Sequence, residues 1–290
     1  MSTPYVTSAL LRQADTGVDW GSLVEGHLDD DVTLAEITNI CYRVSEMCDS
    51  FCNQVLRSTI DSEQFSVPSF RAAVLSSGVC RIILTRWPVT YVHSIQVSPT
   101  MFPPSYAVVD PSRYFIENLS LDTASGTGAY GVLISSGYVD QVWGSSGYQL
   151  IISYVNGWPN SSLTSDVAEG AVTLNVDDTT GFLPGARFTF FDGAYTEQAV
   201  VASASTDSGP GTLTLALSLT YEHILGTLVS GMPSSVQQAC IYLATYVALT
   251  RGATAIAMPP ARGVSGSGNS PDDFLVKEAN RLLTPYKRII

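Results

Sequence analysis

Five cysteines, three histidines and a run of three aspartates are the residues of this 290-residue chain whose types and spacing could do chemistry. Cys41, Cys48 and Cys52 stand at i, i+7 and i+11, on one face of a helix. A structural zinc site needs four converging ligands. His27, His93 and His223 are dispersed along the chain and offer no fourth ligand nearby, so the three cysteines read as small buried thiols. Asp29-Asp30-Asp31 lacks the alternating acids, the glycine and the distal glutamate of a calcium loop, and reads as a solvated lead-in to a helix. Asp177-Asp178 and Asp192 read as turn residues. The nucleophile pattern Gly-x-Ser-x-Gly occurs only in broken form, at Gly144-Ser145-Ser146-Gly147 and Gly263-Val264-Ser265-Gly266. Gly126-Thr127-Gly128 precedes no helix and so implies no phosphate cradle. A glycosidase carboxylate pair stays open, because any two acids can meet in space. The expectation is a chain that is not an enzyme, with no metal and no cofactor.

The elements that must position these residues change character along the chain. After a short helical opening, the apolar positions Leu34, Ile37, Cys41, Val44, Cys48, Phe51 and Val55 predict a helix to about Leu56, with Thr33 and Glu36 as a capping box. Beyond Pro68, the runs Val79–Thr85, Val89–Val97, Arg113–Glu117, Tyr130–Ser135 and Tyr148–Val155 predict strands of an antiparallel sheet or sandwich. Residues 164–231 read as an inserted all-β module, with strands at Val172–Val176, Arg187–Phe191, Glu197–Val201 and Leu213–Leu217. It is small enough to lean on its neighbours. Pro233 then precedes a helix, Val236–Arg251, capped by Ser234 or Ser235. A Gly-Ser linker follows, and Ser270-Pro271-Asp272-Asp273 starts a last helix to about Thr284. The fold class expected is α+β. Its parts are an N-terminal helical region at 1–66, a β core with a packing helix at 67–163 and 232–252, the module at 164–231, and a C-terminal arm at 253–290.

Charge is uneven. The net −12 divides into −8 over residues 1–66, −7 over 164–231 and +3 over 251–290, with the remainder neutral. An acidic body with a basic tail suits docking onto other subunits and excludes a DNA-wrapping protein, which needs a basic face. Only 14% of residues are charged, against roughly 25% usually, as expected where partners cover much of the surface. No apolar run reaches the ~20 residues of a membrane span, and the start lacks a signal peptide's pattern, so a cytoplasmic chain with reduced thiols is expected. The 14 tyrosines, 10 phenylalanines and 4 tryptophans could build a sugar-binding face, but core and interface roles are expected first.

The order of these pieces resembles the head–tail connector (adaptor) family of tailed bacteriophages. The matching stretches are Ala9-Leu10-Leu11 through Asp29-Asp30-Asp31 to the helix Leu34–Leu56, and Ile83-Leu84-Thr85-Arg86-Trp87-Pro88-Val89 with the strand after it. Ile152 to Pro159, with its Gly157-Trp158-Pro159 ending, comes next, then Pro233 with Val236–Arg251. The last is Leu282-Leu283-Thr284-Pro285-Tyr286-Lys287-Arg288-Ile289. The module at 164–231 departs from that pattern and looks like a small β module of phage structural proteins. The resemblance implies a virion neck protein, made in the host cytoplasm, that forms a ring of about twelve copies. Its partners would be the portal protein and a stopper or other tail-side neck protein, with DNA passing through unbound. On that footing Asp29, Asp30 and Asp31 are expected to line the channel. The module is expected to project outward. Phe274, Leu275, Arg281, Leu282, Leu283, Lys287 and Arg288 are expected to dock the arm on the portal. The alternative is a tail-associated carbohydrate-binding β module.

Overall fold

The computed structural model describes residues 3–75, 79–98, 104–117, 131–134, 148–251 and 271–288. Residues from both ends of the chain build one helical layer. Helix α1 (Ser8–Gln13) and a 3-10 turn at Trp20–Ser22 precede the long α2 (Asp31–Cys52). Helices α3 (Ser234–Thr250) and α4 (Pro271–Leu283) follow the β structure and pack with α2. Their shared core holds Leu11, Ile37, Ile40, Val44, Leu243, Ala279 and Leu283, all at most 4% exposed.

Two local expectations at α2 are corrected. The helix starts at Asp31, earlier than the capping-box reading, because Asp30 accepts from the N–H groups of Val32 and Thr33, both at 3.0 Å. Aspartate caps at least as well as threonine, and Thr33, pulled inside the first turn, is buried and donates to the carbonyl of His27 instead. Glu36 pairs with Arg43 and Arg251 rather than reaching back. The helix ends at Cys52, short of Leu56, where Asn53 takes a left-handed conformation at φ 55°.

Two antiparallel four-stranded sheets face each other in the β core. One has the order β1-β8-β4-β5, from β1 (Thr59–Val67), β8 (Tyr148–Asn156), β4 (Val89–Ser98) and β5 (Ala107–Val108). The other runs β2-β3-β7-β6, from β2 (Ala72–Val74), β3 (Cys80–Ile83), β7 (Gly131–Ile134) and β6 (Tyr114–Ile116). Phe65, Ile82, Ile95, Ile134, Leu150 and Ile152 fill the space between them. The expected helical region 1–66 therefore ends in a core strand. The inward positions of β1 include Asp61 and Glu63, whose polarity hides the alternation. Both are satisfied: Asp61 accepts from Asn156 at 2.6 Å, and Glu63 accepts from Thr85 N–H at 2.8 Å and from the Tyr154 hydroxyl and pairs with Arg71 at 2.9 Å.

The module is a six-stranded antiparallel sheet of order β10-β13-β12-β11-β14-β9. It contains β10 (Thr173–Val176), β11 (Arg187–Phe191), β12 (Glu197–Ala204) and β13 (Gly211–Leu215), close to the expected strands. Its limits differ from 164–231 because β9 (Asn160–Ser162) pairs with β14 (Leu228–Ser230) and belongs to the module's own sheet. Leu163, Leu174, Phe182, Phe188, Phe190 and Leu213 form a separate core. The module does lean on its neighbours: Asn160 donates to the carbonyl of Thr3 at 3.1 Å, and Gly181 abuts Ser58. Gly231 N–H donates to the carbonyl of Pro159 at 2.8 Å, so the chain enters and leaves at one point. Excising Asn160–Ser230 and bridging with a short Gly-Ser link should leave one cooperative thermal transition, lowered by a few degrees, in circular dichroism.

Candidate functional site

Three segments far apart in sequence meet in one aromatic cluster between the helical layer and the β core. Trp87 comes from the turn between β3 and β4, Trp158 from the turn after β8, and Tyr286 from the 3-10 turn after α4. Trp158 meets Tyr286 edge-on at 5.4 Å and Trp87 at 6.0 Å, and Trp87 stacks on Tyr286 at 6.4 Å. Gln54 bridges the cluster, donating to the Tyr286 carbonyl at 3.0 Å and accepting from Trp87 N–H at 3.4 Å. The Tyr286 hydroxyl meets that of Ser235 at 2.7 Å. This contact occupies Ser235, and α3 has Pro233 rather than a serine at its N-cap. Gly157 turns the chain into the cluster at φ 81°, where an added Cβ would lie 2.5 Å from the carbonyl oxygen of Arg57. Gly157→Ala should destabilise the chain by about 2 kcal/mol or more, read by urea denaturation.

The C-terminal helix is bound to its own chain. Leu275 is 8% exposed and Leu283 fully buried in the helical core, so neither is free to anchor a partner. Phe274 is 52% exposed. Arg281 pairs with Glu278, Lys287 lies 5.3 Å over the Phe51 ring, and the Arg288 N–H donates to the Cys52 carbonyl. Leu282 is half-buried against the helical core. The picture of a free docking helix is thus revised, because its apolar side completes the chain's own core. The linker ahead of it lies outside the described residues. Truncation after Gly252 should destabilise the helical layer, seen as a thermal transition lowered well beyond the few degrees that excision of the module costs.

Asp29, Asp30 and Asp31 are all exposed. Asp29 adopts φ 52° and pairs with Arg12 at 2.7 Å. Asp30 caps α2 and meets His27 at 2.7 Å, and the Thr33 N–H, then His27, hold its carboxyl below the ordinary aspartate range. Asp31 has no ion-pair partner among the described residues. Two of the three acids therefore have local structural work. Beside them, an open groove of about 580 Å³ is lined by Leu23, Val24, Val32, Ala35, Glu36 and Arg251.

Chemistry-bearing groups elsewhere are committed to structure. Cys41, Cys48, Cys52 and Cys240 are buried in the helical layer. Burial pushes the Cys41 and Cys52 thiols up to about 12. Among the described residues no group of three or more His, Cys, Asp or Glu is arranged to hold a metal. His223 is a residue that sequence reasoning passed over. Its ring is fully buried, stacks on Phe190 at 4.4 Å and meets Asp192 and Glu197, each at 3.0 Å. Asp192, expected only as a turn residue, is thus also a hydrogen-bond partner of the His223 ring. No local motif marks the trio, since its members lie on three separate segments. Burial works to raise Glu197, but the N–H groups of Thr220 and Tyr221 and the His223 ring outweigh it and hold the carboxyl below its usual range. A carboxylate lowered on folding contributes stability above its unfolded value, ~4.3, and loses it as pH falls through the folded one. Glu197→Gln should therefore cost stability at pH 7, with the gap to the parent closing below about pH 4 in urea titrations.

These contacts define a class of chain: an α+β fold whose N- and C-terminal helices close one helical layer over a β core, with a small β module carried on a two-stranded neck. Comparison with protein-family models, curated proteins and solved structures returns no match to this chain. Among the described residues no helix is long and apolar enough to cross a membrane.

Proposed function

We propose that the chain is a structural head–tail adaptor of a tailed bacteriophage, one copy of a ring of about twelve. It would lie under the portal protein, meet a stopper or other tail-side neck protein, and let DNA pass without specific binding. The observation that carries this reading is the junction of Trp87, Trp158 and Tyr286. Three of the five stretches that resemble the adaptor family each contribute one ring to it, so the motifs act as one structural unit. The module has its own core, and the chain enters and leaves it at one point, which suits an outward projection. Asp31 is the acid best placed to supply uncompensated charge to a channel wall, where like charge keeps phosphates at a distance. With Leu275 and Leu283 occupied, portal docking by the arm would centre on the exposed Phe274.

A carbohydrate-binding role would draw on the module's exposed Tyr195 and Tyr221. Their rings lie 5.6 Å apart but tilted by 56°, which gives no flat platform for a sugar. Negative-stain electron microscopy of the purified chain mixed with its portal separates the two readings. Rings with a central hole are expected. Small oligomers that never enclose a channel, together with retention on a glycan array, would sink the adaptor reading.

A further inference from the structure

Four of the five cysteines line the helical layer, and the adaptor reading uses none of them. Cys48 of α2 and Cys240 of α3 meet across the helix–helix contact with their Sγ atoms 3.3 Å apart, both fully buried. Cys41 and Cys52 flank this pair along α2. Cys52 faces the carbonyl of Leu283 at 3.8 Å, Cys41 lies two turns back along α2, and Cys80 belongs to the core between the β sheets. We propose that Cys48 and Cys240 form an oxidisable dithiol whose disulfide staples α2 to α3.

A disulfide needs its sulfurs about 2.0 Å apart, so closure asks for an approach of little more than an ångström between side chains already in contact. Burial first, and then the neighbouring Cys48, hold the Cys240 thiol well above its ordinary value. The thiolate is the reacting form, so the pair stays reduced while the layer is closed and reacts when α2 and α3 part briefly. With glutathione disulfide as oxidant, one protein thiolate attacks a glutathione sulfur, breaks its S–S bond and expels a glutathione thiolate. The second protein thiol then attacks the mixed disulfide at the protein sulfur, and its proton leaves with the second glutathione. Two protein thiols are oxidised and one glutathione disulfide is reduced to two glutathiones. The product ties together two segments with the whole β core and the module between them. A closed loop of that length restricts the unfolded chain strongly.

The test equilibrates the full chain with glutathione disulfide at a temperature where amide exchange shows the helical layer opening. Thiols are then counted in denaturant and the cross-link mapped by non-reducing peptide mass spectrometry. The count should fall from five to three, with Cys48 joined to Cys240. The thermal midpoint should rise by on the order of 5 °C and return on reduction. Cys48→Ser and Cys240→Ser should each abolish the rise, while Cys80→Ser keeps it. Mapping on the unaltered chain carries the test if a serine variant fails to fold. Five surviving thiols, stable glutathione adducts, or cross-links through Cys41 or Cys52 would overturn the assignment.

Discussion

The meeting of Trp87, Trp158 and Tyr286 is the contact on which the arrangement of the chain depends. Two rings arrive from turns of the β core and one from the end of the helical layer, and together they fill the seam between helices and sheets. Gly157 makes it possible, since no side chain fits between its α-carbon and the Arg57 carbonyl. Aromatic rings bury large areas and favour edge-on contacts, so the cluster fixes the relative placement of the turns that carry them. Gln54 and Ser235 then tie α2 and α3 to the same point through Tyr286. The basic C-terminal stretch is accordingly part of the structural frame, with Lys287 exposed over the Phe51 ring and the Arg288 backbone held by Cys52.

Much of the fold was legible because hydrophobic periodicity reports burial. The face of α2 through Ile37, Cys41, Val44 and Cys48 and the alternation of four module strands read directly from spacing, while β4 and β8 read as Val-, Ile- and Tyr-rich runs between turn residues. β1 did not, because its inward positions 61 and 63 are acids satisfied by Asn156, Thr85, Tyr154 and Arg71. An alternation rule treats an inward carboxylate as an outward one, and only tertiary hydrogen bonds reverse that. The neck was misplaced by a few residues for a related reason. Asn160, Ser161 and Ser230 are buried polar residues in strands β9 and β14, and their composition imitates a loop.

The candidate site residues were less legible than the elements that hold them. Acids at 29–31 announce a helix start, but which one caps depends on backbone angles that a run of identical residues conceals. The apolar side of α4 reads correctly as amphipathic, yet amphipathicity does not say whose core the apolar side will complete. Here the surface it meets is α3 of the same chain. His223, Asp192 and Glu197 lie apart in sequence and converge only when the module's sheet closes.

Closing the helical layer from both ends of the chain has a consequence for the order of synthesis. The inward face of α2 leaves the ribosome early, while the helices that cover it, α3 and α4, come last. At translation rates of about 5–20 residues per second, that face waits on the order of ten seconds or more. The sandwich and the module have most of their strands in hand during this interval and can collapse on their own cores. The nascent chain therefore passes through a stage in which its sheets are formed and one apolar helix face is uncovered. Such a species depends on chaperones or low concentration to avoid sticking to its neighbours.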